Sequence, residues 1–319
     1  MDCVNRSHDN KDHNFTKYSI LAAELRNHAL TYLNPKTLLN YSQCSNYCNS
    51  EVQKFKTVAP TSLFIAELKN NAIFVEVSYS TNSEDFFDKL FSSSTFEETM
   101  KNVEQYLLSL FRYVKNGRIR ELEICLRKWP ITFMQHKSIV AIEDMTVGVQ
   151  NSMLNDFTEF VKTSKIRVKS LRLNRDKEVD IVRKDKAKQM FNSEFFQHLS
   201  KMDIRLEFEI DDSDFLGFKS TEIALWMNNC VISDDAIRQK IAQINNCSGN
   251  VNITISLLGK CSREFNGSVM FPEAVNPEQT DSLDNSWFIG RVRIFIDRSR
   301  KYLTLIKFDF VNDGFDEEQ

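Results

Sequence analysis

The chain is 319 residues long and carries 41 Lys plus Arg against 44 Asp plus Glu, a formal net charge of -3. At 42% hydrophobic and 27% charged, its composition excludes a disordered or fibrous chain. With only 8 Gly and 5 Pro, and neither Gly-x-Gly-x-x-Gly nor Gly-x-x-x-x-Gly-Lys, collagen-like and common nucleotide-binding architectures are excluded too.

Length alone predicts about two domains and roughly three quarters of the unfolded surface buried on folding. No window approaches the ~18 uninterrupted apolar residues of a membrane span, and the N-terminus MDCVNRSHDNKDHNF is polar throughout. A soluble protein without a secretory leader is expected, cytoplasmic and/or nuclear. The seven cysteines, at 3, 44, 48, 125, 230, 247 and 261, are odd in number and scattered. That usage predicts reduced thiols.

In chain order, residues 1–16 read as a mobile tail and 17–58 as closely spaced short helices. Leu21, Leu25, Ala29 and Leu33 recur every fourth position with Leu30 beside them, which gives one apolar helical face. Asn34 and Pro35 form a cap and a first helical position, so a second helix opens there with Leu38, Leu39 and Tyr41. Beyond Pro60, segments 62–68 and 72–79 predict a β-hairpin turning at Lys69-Asn70-Asn71. Amphipathic helices are expected at 84–91 and 96–114. Strands at 120–127, 168–174, 204–210 and 251–258 then alternate with helices at 152–163, 187–200 and 221–228. Two long strands, 287–296 and 302–310, close the domain as a hairpin. The tail after 311 is acidic.

The strands LEICL, SLRLN, LEFEI and ITISL resemble those of leucine-rich repeats, at spacings of about 48, 37 and 46 residues that are irregular for a repeat. The expected architecture is α/β, α+β overall, with a curved, partly parallel, leucine-rich-repeat-like sheet over 60–311.

Few constellations carry chemistry. Cys44 and Cys48 share a helical face, but no second Cys/His pair follows at finger spacing, so they read as small apolar residues in a helical packing. There is no Gly-x-Ser-x-Gly and no His-Glu-x-x-His, and His28, His136 and His198 are scattered. No catalytic residue, metal or cofactor is expected. Asp211, Asp212 and Asp214 read as a helix cap rather than a cation site. Between 165 and 188, ten Lys/Arg face four Asp/Glu. This basic stretch lacks aromatics for base stacking, so nucleic acid is not an expected partner. It reads as a solvated face or an acidic-ligand surface with Arg183, Lys184 and Lys186 as candidates.

The segment LAAELRNHALTYLNPKTLLNYSQCSNYC resembles an F-box. Leu21 stands at the opening Leu, Glu24 and Leu25 follow, and Leu30 and Leu33 fall at the first-helix positions. Pro35 stands at the turn, Leu38 and Leu39 open the second helix, and Ser42 keeps its place. Ala22, Ala29, Thr37 and Cys48 depart from the family pattern. The variant, with a long α/β segment behind it, is similar to the nematode-type F-box group with an F-box-associated or FTH-like C-terminal domain. The resemblance implies a three-helix F-box over 17–58 followed by the α/β domain. It also implies a Skp-type adaptor bound through Leu21, Leu25, Leu30, Leu33, Pro35, Leu38, Leu39 and Ser42. A cullin scaffold would join through the adaptor, and an unknown protein substrate would sit on the α/β domain. The function implied is that of a non-catalytic substrate receptor of a Skp-cullin-F-box ubiquitin ligase. The alternatives are an adaptor-bound scaffold outside ubiquitination, or an enzyme or nucleic-acid binder with a helical N-terminus.

Overall fold

The computed structural model describes residues 60–79, 86–111, 114, 117–130, 134, 139–175, 182–227, 231–257, 263–272, 285–297 and 299–307, with Thr37, Asn40, Tyr41, Cys44, Asn46 and Cys48. Those six isolated positions are helical. Leu21, Leu25, Leu30, Leu33, Pro35, Leu38, Leu39 and Ser42 lie outside the described residues, as do the tails 1–16 and 312–319.

The predicted hairpin forms. β1 (Ser62–Glu67) pairs antiparallel with β2 (Ile73–Ser78), and Asn70 and Asn71 both take left-handed backbone, at φ 60° and 59°. Two consecutive positive φ values define the tight turn whose twist matches the strands, and Asn tolerates them better than most residues. Residues 84–91, expected to be helical, instead contain β3 (Phe86–Phe91), paired antiparallel with β2. Phe87, Leu90 and Phe91 have helical spacing, but the free edge of β2 supplies a ladder for them.

Helix α1 (Phe96–Phe111) follows as expected, burying Phe96, Met100, Val103, Leu107 and Phe111. Next come β4 (Gly117–Cys125), β5 (Ile139–Val149), α2 (Leu154–Thr163), β6 (Arg167–Arg175), α3 (Lys184–Phe191), α4 (Glu194–Gln197) and β7 (Lys201–Ile204). The chain continues through α5 (Asp212–Gly217), β8 (Glu222–Met227), α6 (Asp234–Asn246), β9 (Val251–Leu257) and α7 (Gly267–Met270). It ends with β10 (Asn285–Ile289), β11 (Val292–Ile296) and β12 (Tyr302–Lys307).

Three further expectations are corrected. Residues 221–228 contain strand β8: Glu, Ala, Leu and Met favour helix, yet Ile223, Leu225 and Met227 alternate into the core, and tertiary context overrides propensity. The expected strand 204–210 is displaced, because β7 ends at Ile204 and the chain leaves the sheet. Leu206, Phe208 and Ile210 are then buried, with Phe208 making only an isolated bridge to Val182. The expected single strand 287–296 breaks at Gly290, φ 58°. Asn245 of α6 clamps that turn, its Oδ1 accepting from the Arg291 N–H at 2.9 Å and its Nδ2 donating to the Ile289 carbonyl at 3.1 Å. A Cβ at Gly290 would come within 2.8 Å of Asn245 Oδ1, so both backbone and space demand glycine there.

Among the described residues, twelve strands form one sheet in the order β10-β11-β12-β9-β8-β7-β6-β5-β4-β1-β2-β3. Pairing is parallel from β1 through β4, β5, β6, β7, β8 and β9, and antiparallel at both ends. The parallel strands thus step in one direction only. Right-handed crossovers in a sheet that never reverses direction place the crossover segments on one face. The core agrees. Ile65, Ile124, Val147, Leu173, Ile204, Leu225, Ile255, Leu303 and Ile296 are buried on that side. Above them runs an aromatic seam in which Trp129 lies 5.0 Å from Phe157 and Phe191 lies 5.2 Å from Phe208.

The repeat spacing is shorter than the sequence reading has it. Equivalent core positions Leu122, Met145, Leu171, Met202, Ile223 and Ile253 follow at 23, 26, 31, 21 and 30 residues. The longer spacings arise from passing over β5 and β8. Several strands share one pattern of buried positions: Ile119-x-x-Leu122-x-Ile124, Ile142-x-x-Met145-x-Val147, Val168-x-x-Leu171-x-Leu173 and Leu199-x-x-Met202-x-Ile204.

Candidate functional site

Strand alternation sends the remaining side chains to the opposite face of the sheet. They are aligned by register. Asp88, Glu76, Phe64 and Glu123 stand side by side on β3, β2, β1 and β4. The row continues through Thr146, Arg172, Asp203 and Ala224 on β5 to β8, then Thr254, Thr304, Phe295 and Ser286. Apart from Asp203, these side chains are half-buried or exposed.

The charge of this open face is segregated. Over β6 and β7 most of the cations are matched. Arg172 Nε donates to Asp203 Oδ2 at 3.0 Å, Arg205 Nη2 donates to the same oxygen at 3.0 Å, and the Asp203 side chain is 11% exposed. Arg205 also lies 5.2 Å over the Trp226 ring. Lys201 pairs with its register neighbour Glu222 at 2.8 Å, and Arg175 with Glu207 at 3.3 Å. Over β4 and β5 the register instead sets Glu121 beside Asp144, two like charges on adjacent strands. A groove of about 260 Å³ spans both regions, lined by Glu121, Glu123, Asp144, Arg172, Lys201 and Asp203 among others. A surface of this kind can hold an extended protein segment by charge and shape.

The basic stretch 165–188 divides on folding. Arg167, Lys169, Arg172 and Arg175 belong to β6, while Arg183, Lys184, Lys186 and Lys188 stand at and in α3. Arg183 is exposed and Lys186 half-buried. Lys184 and Lys188 both pair with Asp211, at 2.9 and 3.2 Å. The Ser213 hydroxyl, the Lys184 ammonium and the Asp214 N–H hold the Asp211 carboxyl well below the usual carboxylate range, and the Asp211 contact raises Lys184. Beside them, at the carboxyl ends of β7 and β8, lies a cavity of about 660 Å³ bounded by Lys184, Glu207, Glu209, Asp211, Asp212 and the apolar Phe208, Ile210 and Met227. Asp211 and Asp214 cap a helix, as expected, while Asp212 instead holds the cap residue of the next one. Asp211 accepts from the Asp214 N–H while Asp214 accepts from the Asp211 N–H, a reciprocal capping box for α5. Asp212 accepts from the N–H and hydroxyl of Ser233, the cap of α6, at 2.7 and 2.6 Å. Burial pushes Asp214 up from its ordinary value.

Among the described residues no group of His, Cys, Asp and Glu could hold a metal ion. Cys48 is buried and Cys44 exposed, its thiol donating to the Asn40 carbonyl, and His198 is exposed. Among the same residues no helix is long and apolar enough to cross a membrane.

One group escaped the sequence reading. Lys240 sits on the apolar stripe of α6 with Ile237, Ile241 and Ile244, is buried, and donates to the Phe218 and Leu216 carbonyls at 2.7 and 3.4 Å. Burial pulls its amine down to about 8. The signal was a lysine three residues after one buried isoleucine and four before another. The open face was half legible, since the alternation was visible but the in-register neighbours were not.

No family model, no curated protein and no solved structure matches this chain.

Proposed function

We propose that this chain is the substrate-recognition subunit of a Skp-cullin-F-box ubiquitin ligase. Residues 17–58 take a Skp-type adaptor through Leu21, Leu25, Leu30, Leu33, Pro35, Leu38, Leu39 and Ser42, and the α/β domain takes a target protein. The resemblance over 21–48 supports the adaptor half. The single observation that supports the receptor half is the open sheet face, a row of mostly polar side chains held in register beside a helix-covered face. The recurring apolar-x-x-apolar-x-apolar strands support a curved, leucine-rich-repeat-like reading of that sheet. A receptor of this kind performs no bond-making step. Tethering raises the effective concentration of target lysines near the charged conjugating enzyme, which replaces a bimolecular encounter by an intramolecular one.

Co-purification of the chain with a Skp-type adaptor and a cullin tests the reading, with Leu33→Asp and Leu38→Asp as comparisons. Retention of both partners by the parent and their loss in both variants is expected, because each variant buries an unpaired charge in an apolar contact. A folded parent that retains neither partner overturns it.

A further inference from the structure

We infer that the acidic end of the open face, over β2 to β5, is the docking surface for a basic segment of the recognised protein in which Lys or Arg alternate with apolar residues. The inference rests on the receptor reading above and gives its target a chemical class.

Charge balance along the face is the first ground. On β6 and β7 the cations Arg172, Arg205, Arg175 and Lys201 each have a carboxylate within 3.3 Å, and among the described residues only Arg167 and Lys169 of β6 stand exposed there without an ion pair. On β2 to β5 the balance is reversed. Glu76, Asp88, Glu123 and Asp144 form no ion pair among the described residues, and Glu121 has only the solvent-exposed Arg120, at 3.6 Å. Register worsens the repulsion by placing Glu76 beside Asp88 and Glu121 beside Asp144. Like charges directly opposite on neighbouring strands disfavour the sheet. A partner's cations would relieve both pairs.

The apolar floor beside the acidic groups is the second ground. Phe64 on β1 and Phe74 on β2 lie edge to face at 6.3 Å, both half-buried on this same face. Leu90, in register beside Phe74, is 60% exposed. A cationic side chain lays its methylene stem on aromatic rings and delivers its head to a flanking carboxylate. Phe64 stands between Glu76 on β2 and Glu123 on β4, and Phe74 and Leu90 lie on the strands that carry Glu76 and Asp88. An alternating basic and apolar segment fits both parts, whereas an acidic segment or a nucleic acid backbone meets carboxylates.

The test uses the full chain and two labelled synthetic peptides, one of alternating Lys and Leu and one of alternating Glu and Leu, with binding read by fluorescence anisotropy. The Lys-Leu peptide is expected to bind at least about tenfold more tightly than its acidic counterpart, with affinity falling as salt rises. The neutral variant Glu121→Gln/Asp144→Asn keeps shape and removes repulsion, so it folds at least as well as the parent and is expected to lose about tenfold in affinity. A control of equal charge change on the helical side, Glu97→Gln/Asp185→Asn, is expected to leave affinity within about twofold. Equal losses in the face and control variants overturn the inference, as does tighter binding of the acidic peptide. Adaptor co-purification of the same variants separates the two readings. Peptide binding that ignores the face while the adaptor is retained sinks this inference alone. Face-dependent peptide binding without adaptor retention sinks the ligase reading and leaves the docking surface standing.

Discussion

The two faces of the sheet are made by the same strands and obey opposite rules. On the covered face, Leu171, Leu173, Ile204 and Leu225 need only be apolar and of suitable size, because the hydrophobic effect is non-directional. On the open face each side chain is read against a specific neighbour, so a shift in register would change Arg172 beside Asp203 into a different pair. Stability therefore belongs mainly to the first face and specificity to the second.

Substitutions can break or sharpen that division. The largest effect is expected from Phe157→Ala, which empties a site packed against Trp129 and Phe160 in the helix layer, at a cost of ~3–5 kcal/mol in denaturant unfolding. Asp203→Ala should cost less, about 1–3 kcal/mol, because it strands two guanidiniums that water still reaches. A loss equal to that of Phe157→Ala would show that the open face carries stability as well.

Asp211→Asn removes the charge that caps α5 and pairs with Lys184 and Lys188, with an expected loss of ~1 kcal/mol at neutral pH. The sign with pH follows from the lowered carboxyl. Its stabilisation is complete above the ordinary aspartate value and fades as acid protonates the folded form, so parent and variant should converge in unfolding midpoint at low pH. Lys201→Ala should be the smallest, about 0–1 kcal/mol, since both Lys201 and Glu222 are about half exposed. Its measurement by the same unfolding series sets the floor against which Asp203→Ala is judged.

How much was legible depended on how local each cause is. The Asn70-Asn71 turn was readable because it needs only two residues that tolerate positive φ. The aspartate cap was readable because Asp211 and Asp214 satisfy each other within one turn of chain. Strand β8 was misread because Glu222 to Met227 is helical by propensity, and only neighbours β7 and β9, from 21 residues before and 30 after, make it a strand. The candidate site was less legible still. The basic run between 165 and 188 stood out on the page, yet folding set carboxylates from positions 203, 207 and 211 against Arg172, Arg175, Lys184 and Lys188, and the dispersed acids of β2 to β5 emerged with few partners.

The sequence by itself determined the α/β class, the β1–β2 hairpin, the α1 face and the absence of common nucleotide-binding motifs, because each follows from composition or from periodicity within one segment. Only the tertiary structure decided the strand order, the true repeat spacing and which charges meet, because parallel pairing joins residues 20 to 30 apart whose register is set by the whole helix-covered core.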